Sequence, residues 1–161
     1  MTQHQRMQAV IRQFKMETGT TEVDMGDVAD WAIAHGWRLP KRIPPRDMLA
    51  KEFARAARDE MRHDDRTGRP YRANHAVPTT DQNGQTSFRW VDIDEAPRAP
   101  MLKSLMRRRE QIISDGLQLS FDAEHWNRIN PREQPIAIPL DFTEDVEERT
   151  SILDEGEQPI H

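Results

Sequence analysis

The apolar residues of this chain change their period near residues 63–70, and that change limits what the chain can fold into. Before it, apolar positions recur at helical spacing: Met7, Val10, Ile11 and Phe14 fall at i, i+3, i+4 and i+7. After it, "PYRANHAV" and "QTSFRWVDID" are short runs rich in branched and aromatic residues, with "PTTDQNG" between them. Asn83-Gly84 inside that spacer is a strong turn signal, so the two runs predict a β-hairpin. Helical spacing returns from Met101 onward. The expected class is therefore α+β and mostly helical.

Punctuation residues divide the helical part. "GTT" at 19–21 ends a first helix over about 3–16. Asp24 is placed to cap a second, Asp27 suits its N-terminal dipole, and Gly36 supplies the stop. On that helix Val28, Trp31, Ala32 and His35 share a face, which assigns Trp31 to the core. The proline-rich "WRLPKRIPP" is a loop. A third helix starts at Pro45 or Arg46 and is expected to run to about Arg62. Three helices followed by a hairpin is the element order of a winged helix. The expected domains are a winged-helix-like part (1–96), a long helical segment (97–132), and a short strand with an acidic tail (133–161). Gly116 is a candidate kink in the long segment, and Ser120 or Asp122 a candidate restart.

Charge is unevenly distributed. The formal net charge is -5, yet residues 38–72 hold eleven bases against six acids, while residues 133–161 hold nine acids against Arg149 alone. Such asymmetry points to partners rather than to fold. On the third helix Lys51, Arg55, Arg58 and Arg62 fall within about 60° of azimuth, at 100° per residue. Leu49, Phe53, Ala56 and Ala57 lie on the opposite side. Packing of that apolar side would turn the basic stripe outward. In a winged helix this is the element that enters the major groove of duplex DNA, where arginine reaches guanine O6 and N7. Arg69 and Arg72, at the base of the hairpin, would meet phosphates. A solvated helix face, with Asp47 and Asp59 paired to the stripe, accounts for the same residues. Arg107, Arg108 and Arg109 are consecutive, span about 200°, and so do not form one patch.

The acidic end admits a disordered solubilising role, a shield over the basic helix, or a docking role. Ile136, Ile138, Leu140 and Phe142 alternate in "PIAIPLDF", which predicts a short edge strand with one apolar side and makes these four the anchors for a partner or for the chain itself. "TEDVEER" allows a final helical turn or two. A second functional reading follows: a protein-interaction subunit that joins an assembly, or self-associates, through residues 101–129 and the acidic tail, without binding nucleic acid.

Catalytic signals are weak. There is no cysteine, hence no thiol chemistry or thiolate metal site. No two of the six histidines have the i, i+4 spacing of a helical metal site. Asp92 and Asp94 project from one face of an expected strand and are the best candidates to share a divalent cation. No phosphate-binding glycine loop or nucleophile motif occurs, and no cofactor or metal is implied. The expectation is a non-enzymatic DNA-binding protein. Without a signal-like or membrane-length apolar run, and without cysteine, it reads as soluble and cytoplasmic.

Overall fold

The computed structural model describes residues 1–156. Among these there are five helices and two small antiparallel sheets, an α+β fold about 56 % helical. The chain forms two compact units, Met1–Asp47 and Met48–His161. The cut between them falls in the first turn of the third helix.

The first unit holds α1 (Gln3–Thr18) and α2 (Met25–Ala34). Both are specified locally. Thr2 and Gln5 form a reciprocal capping box at the start of α1, and Gly19, at φ 69°, closes its end by donating to Lys15 O. Asp24 accepts from the amides of Gly26 and Asp27 at 2.7 and 3.3 Å. Phe14, Val28 and Ala32 are buried between the two helices. Trp31 meets Phe14 edge-on at 6.2 Å and donates to Glu17 at 3.2 Å.

The second unit carries the rest. α3 spans Pro45–Asp59 and ends earlier than the sequence suggests. The reason lies far along the chain. The Asn74 amide donates to Ala57 O, and Ala73 N–H donates to Glu60 O, at 3.1 Å each. These contacts draw the chain out of the helix into β1 (Met61–His63), so Arg62 stands on a strand instead of on the helical stripe. The apolar side of α3 is also not packed as expected: Leu49 and Phe53 are 53 % and 66 % exposed.

β1 pairs antiparallel with β2 (Pro70–Arg72), with Arg62 opposite Tyr71. Their connection is tied by Asp64, which accepts from the amides of Arg66 and Thr67 and from the Thr67 hydroxyl. Gly68 completes the turn at φ 68°. The expected hairpin forms with shorter strands, β3 (Asn74–Thr80) and β4 (Thr86–Asp92), in the register Val77 opposite Arg89. The run "PYRANHAV" is thus split. Its first three residues pair backward with β1, and Ala73, fully buried, sits at the break.

α4 (Arg98–Ile129) is one 32-residue helix, about 48 Å long, running through Gly116 without the restart anticipated near Ser120. Its N-terminal half packs on the hairpin. Ser104 is buried and donates to Ala76 O at 2.9 Å, and Lys103 Nζ donates to Pro78 O at 2.8 Å.

Residues 135–142 form no strand. Instead the segment lies along α4: Asn127 donates to Ile136 O and accepts from Ile136 N, both at 2.8 Å. A Cβ placed on Gly116 would stand 3.8 Å from Leu140. The side-chain amide of Asn127 takes the place of a strand partner, which explains why no ladder is needed. α5 (Thr143–Gly156) follows, longer than the sequence suggests, and begins where Asp141 accepts from the Thr143 amide and hydroxyl. No helix among the described residues is long and apolar enough to cross a membrane.

Candidate anion-binding site

The six arginines and lysines singled out by sequence meet three different fates. Arg62 is held by carboxylates. Its guanidinium engages both oxygens of Asp92 at 2.9 Å, Asp94 at 2.7 Å and Glu60 at 3.1 Å. These hydrogen bonds, led by Asp92 and followed by Asp94, push its pKa above the usual arginine value. The same contact holds the Asp92 carboxyl below its ordinary range, helped by the Asp94 amide. Tyr71 O–H donates to Asp94 at 3.1 Å and is itself raised, first by burial and then by that carboxylate. Asp92 and Asp94, the cation candidates, are therefore committed to an internal guanidinium.

Arg69 is also engaged. Its Nε and Nη2 make a two-pronged contact with Asp154 of α5, at 3.1 and 2.7 Å. Each partner stabilises the other's charged form, so the Arg69 pKa rises and the Asp154 pKa falls. The acidic tail thus reaches a basic residue of the sequence-derived site, on the β1–β2 ribbon and not on α3.

Lys51, Arg55, Arg58 and Arg72 have no ion-pair partner among the described residues. Arg58 and Arg72 line one pocket of about 160 Å³, and two arginines of α4, Arg107 and Arg108, line it with them. The other walls are Asn74, His75, Ala76, Trp90 and Ser104. Among the described residues no carboxylate contributes to the lining. Two guanidiniums are seated on aromatic faces of the hairpin: Arg58 lies 5.8 Å from the Trp90 ring and Arg107 lies 4.5 Å from Phe88. Phe88 and Trp90 are two apart on β4, so both rings stand on one face of the strand. Such stacking orients a guanidinium while leaving its N–H fork free for an anion.

His75 is buried, with Nε2 3.0 Å from Arg72 O. A carbonyl only accepts, so Nε2 carries the proton. The Ser104 hydroxyl is spent on Ala76 O, and the Asn74 amide on Ala57 O and Glu60. The free donors of the pocket are thus mainly the four guanidiniums. A volume of about 160 Å³ is that of roughly five waters at ~30 Å³ each. It admits a single tetrahedral oxyanion with a few waters. Guanidiniums are the side chains that can meet the oxygens of such a group with two parallel N–H donors.

Arg107 and Arg108 did not stand out in sequence because the consecutive triplet spreads around the helix. The usable signal was Ser104, Arg107 and Arg108 at i, i+3 and i+4, one face of α4. Arg109 points elsewhere and pairs with Glu110 at 3.4 Å. The four apolar anchors Ile136, Ile138, Leu140 and Phe142 lie apart from this pocket, in the segment beside α4, and each remains 38–46 % exposed.

Comparison with protein-family models, curated proteins and solved structures finds no match.

Proposed function

We propose that this chain binds duplex DNA through its phosphates, without catalysing a reaction on it. Arg58, Arg72, Arg107 and Arg108 grip one phosphate group in the pocket. Lys51 and Arg55 extend the contact along α3, whose stripe leads into that pocket at Arg58. The β3–β4 hairpin stands beside α3 in the role a wing has in a winged helix. Its aromatic rings orient the arginines.

One observation carries this reading: four guanidiniums converge on a pocket with no carboxylate in its lining. Two other arginines of the sequence-derived set are neutralised, Arg62 by three acids and Arg69 by Asp154. The four like charges repel one another across the pocket, and an anion seated among them relieves that repulsion. Phosphate contacts fix position without reading bases. The expected binding is therefore salt-sensitive and weakly sequence-selective. A non-catalytic role is supported by the groups a reaction would draw on being already engaged: Asp92 and Asp94 by Arg62, His75 by a backbone carbonyl.

The test is a fluorescence-anisotropy titration of a labelled duplex with the full chain across a salt series. One phosphate in the pocket and one each at Lys51 and Arg55, three in all, give a slope of log K against log salt of about −2.7 on B-DNA. No binding at 50 mM salt would remove the DNA reading and leave the interaction-subunit reading in its place.

A further inference from the structure

The pocket of four arginines lies between two regions of opposite charge. On one side Arg55 and Lys51 stand three and seven residues before Arg58 on α3, about 4.5 and 10.5 Å along the helix. Neither has an ion-pair partner among the described residues. In the other direction the chain leaves α3 and enters the acidic group around Arg62. Glu60, Asp92 and Asp94 share that one guanidinium, so three carboxylates face a single positive charge. The side chains of Glu60 and Asp94 are half exposed, and the excess negative charge faces solvent. This group abuts the pocket. Asn74, which lines the pocket, donates to Glu60 at 2.7 Å and stands opposite Asp92 in the β3–β4 register.

A phosphate in the middle of a strand continues in both directions. Seated in this pocket, it would carry one neighbour toward Arg55 and the other toward Glu60 and Asp92, where like charges repel. A phosphate at the end of a strand has a single neighbour, which the Arg55 side receives. The chemistry of the pocket agrees. An internal phosphodiester carries one negative charge and two unesterified oxygens. A terminal phosphomonoester carries about −1.5 to −2 at pH 7 and three strong acceptor oxygens. Four guanidiniums, with no carboxylate among the described lining residues, match the greater charge and the larger number of acceptors. The walls come from α3, both sheets and α4, and room for about five waters admits a phosphoryl group held by one attachment.

We infer that the pocket takes the terminal phosphomonoester of a DNA strand, with Arg55 and Lys51 on the phosphates that follow. This rests on the DNA reading above and narrows it to phosphorylated strand ends. The 5′ and 3′ monoesters share the chemistry, and the direction in which the strand leaves toward Arg55 selects between them.

Anisotropy titrations of the full chain at 50 mM salt test this with four duplexes of one sequence, each carrying an internal fluorophore. One has 5′-phosphates, one 3′-phosphates, one hydroxyls at every end, and one is a dumbbell closed by hairpin loops. One of the two phosphorylated forms should bind at least about tenfold tighter than the hydroxyl-ended and closed forms, the fold-change of one charge-assisted contact. Arg107→Gln with Arg108→Gln should bring that preference toward unity, with Arg72→Gln in its place should the double variant lose helical circular dichroism. Lys51→Gln should weaken all four forms alike and keep the preference. Equal binding of the four duplexes overturns the inference and leaves the DNA reading standing, as does a preference that survives the pocket variants. No binding of any form overturns both. A phosphoserine peptide that displaces the favoured duplex at equal concentration would also overturn the assignment to a strand end.

Discussion

Replacing Arg107 and Arg108 together by glutamine removes half the charge of the pocket while keeping side-chain length and polarity. Both residues are exposed on α4, so the fold should lose little. The main structural loss is the Arg107 contact with Phe88, worth about 0.5–1 kcal/mol for an exposed cation–π pair. The effect on binding is larger. With three phosphates contacted the slope of log K against log salt is about −2.7, and without the pocket's phosphate it is about −1.8. Between 50 and 200 mM salt the unmodified chain should therefore lose about 40-fold in affinity, and the double variant about 12-fold. Anisotropy with a labelled duplex reads both numbers. Arg128→Gln with Arg132→Gln, both exposed and outside the pocket, serves as the charge-matched control and should alter neither slope nor affinity. An unchanged slope in the double variant would refute the assignment of these arginines to phosphate, provided its melting temperature stays near that of the parent.

Other consequences are narrower. Asp154→Asn should release Arg69 for phosphate and tighten DNA binding, steepening the slope by up to ~0.9; unchanged binding would mean that the α5 contact does not compete. Asp92 has a lowered pKa in the fold, so the stability it contributes is fully present above the ordinary carboxyl value of about 4 and is lost as pH falls through the lowered folded value. Thermal melts should hence be flat in this respect between pH 5 and 7 and decline below pH 4, with the decline reduced in Asp92→Asn. Ala73→Leu places a large side chain at a fully buried break between β2 and β3, where overpacking costs about 1–3 kcal/mol; a melting temperature within a degree of the parent would show the site to be looser than described.

What sequence revealed depended on how far each element's determinants reach. α1 and α2 were legible because their caps are local: Thr2 with Gln5, Gly19 with Lys15, Asp24 with Gly26 and Asp27. The Asn83-Gly84 turn was legible for the same reason, with Asp81 tying the tip through the amides of Asn83 and Gln85. The end of α3 was not. It is fixed by Asn74, seventeen residues beyond Ala57, and by Ala73 meeting Glu60. That shift removed Arg62 from the stripe and gave it to Asp92 and Asp94, some thirty residues away. The alternation in Ile136, Ile138, Leu140 and Phe142 was real, but its period fits any extended segment with one covered side. Here the cover is a helix, with Asn127 standing in for a strand. The pocket was half legible. Arg58 and Arg72 were singled out by charge, whereas Arg107 and Arg108 joined them only through the packing of α4 on the hairpin at Ser104.

The central claim is that Arg58, Arg72, Arg107 and Arg108 together hold a phosphate of duplex DNA, while Arg62 and Arg69 do not. Side-chain ¹⁵N NMR of the arginine guanidiniums, assigned by single Arg→Gln variants, reads each residue separately as a short duplex is added at 50 mM salt. The Nε signals of the four pocket arginines should move together and saturate with one affinity, with the Arg62 and Arg69 signals unmoved. Movement at Arg62 or Arg69 with a silent pocket, or no movement at all, would contradict it.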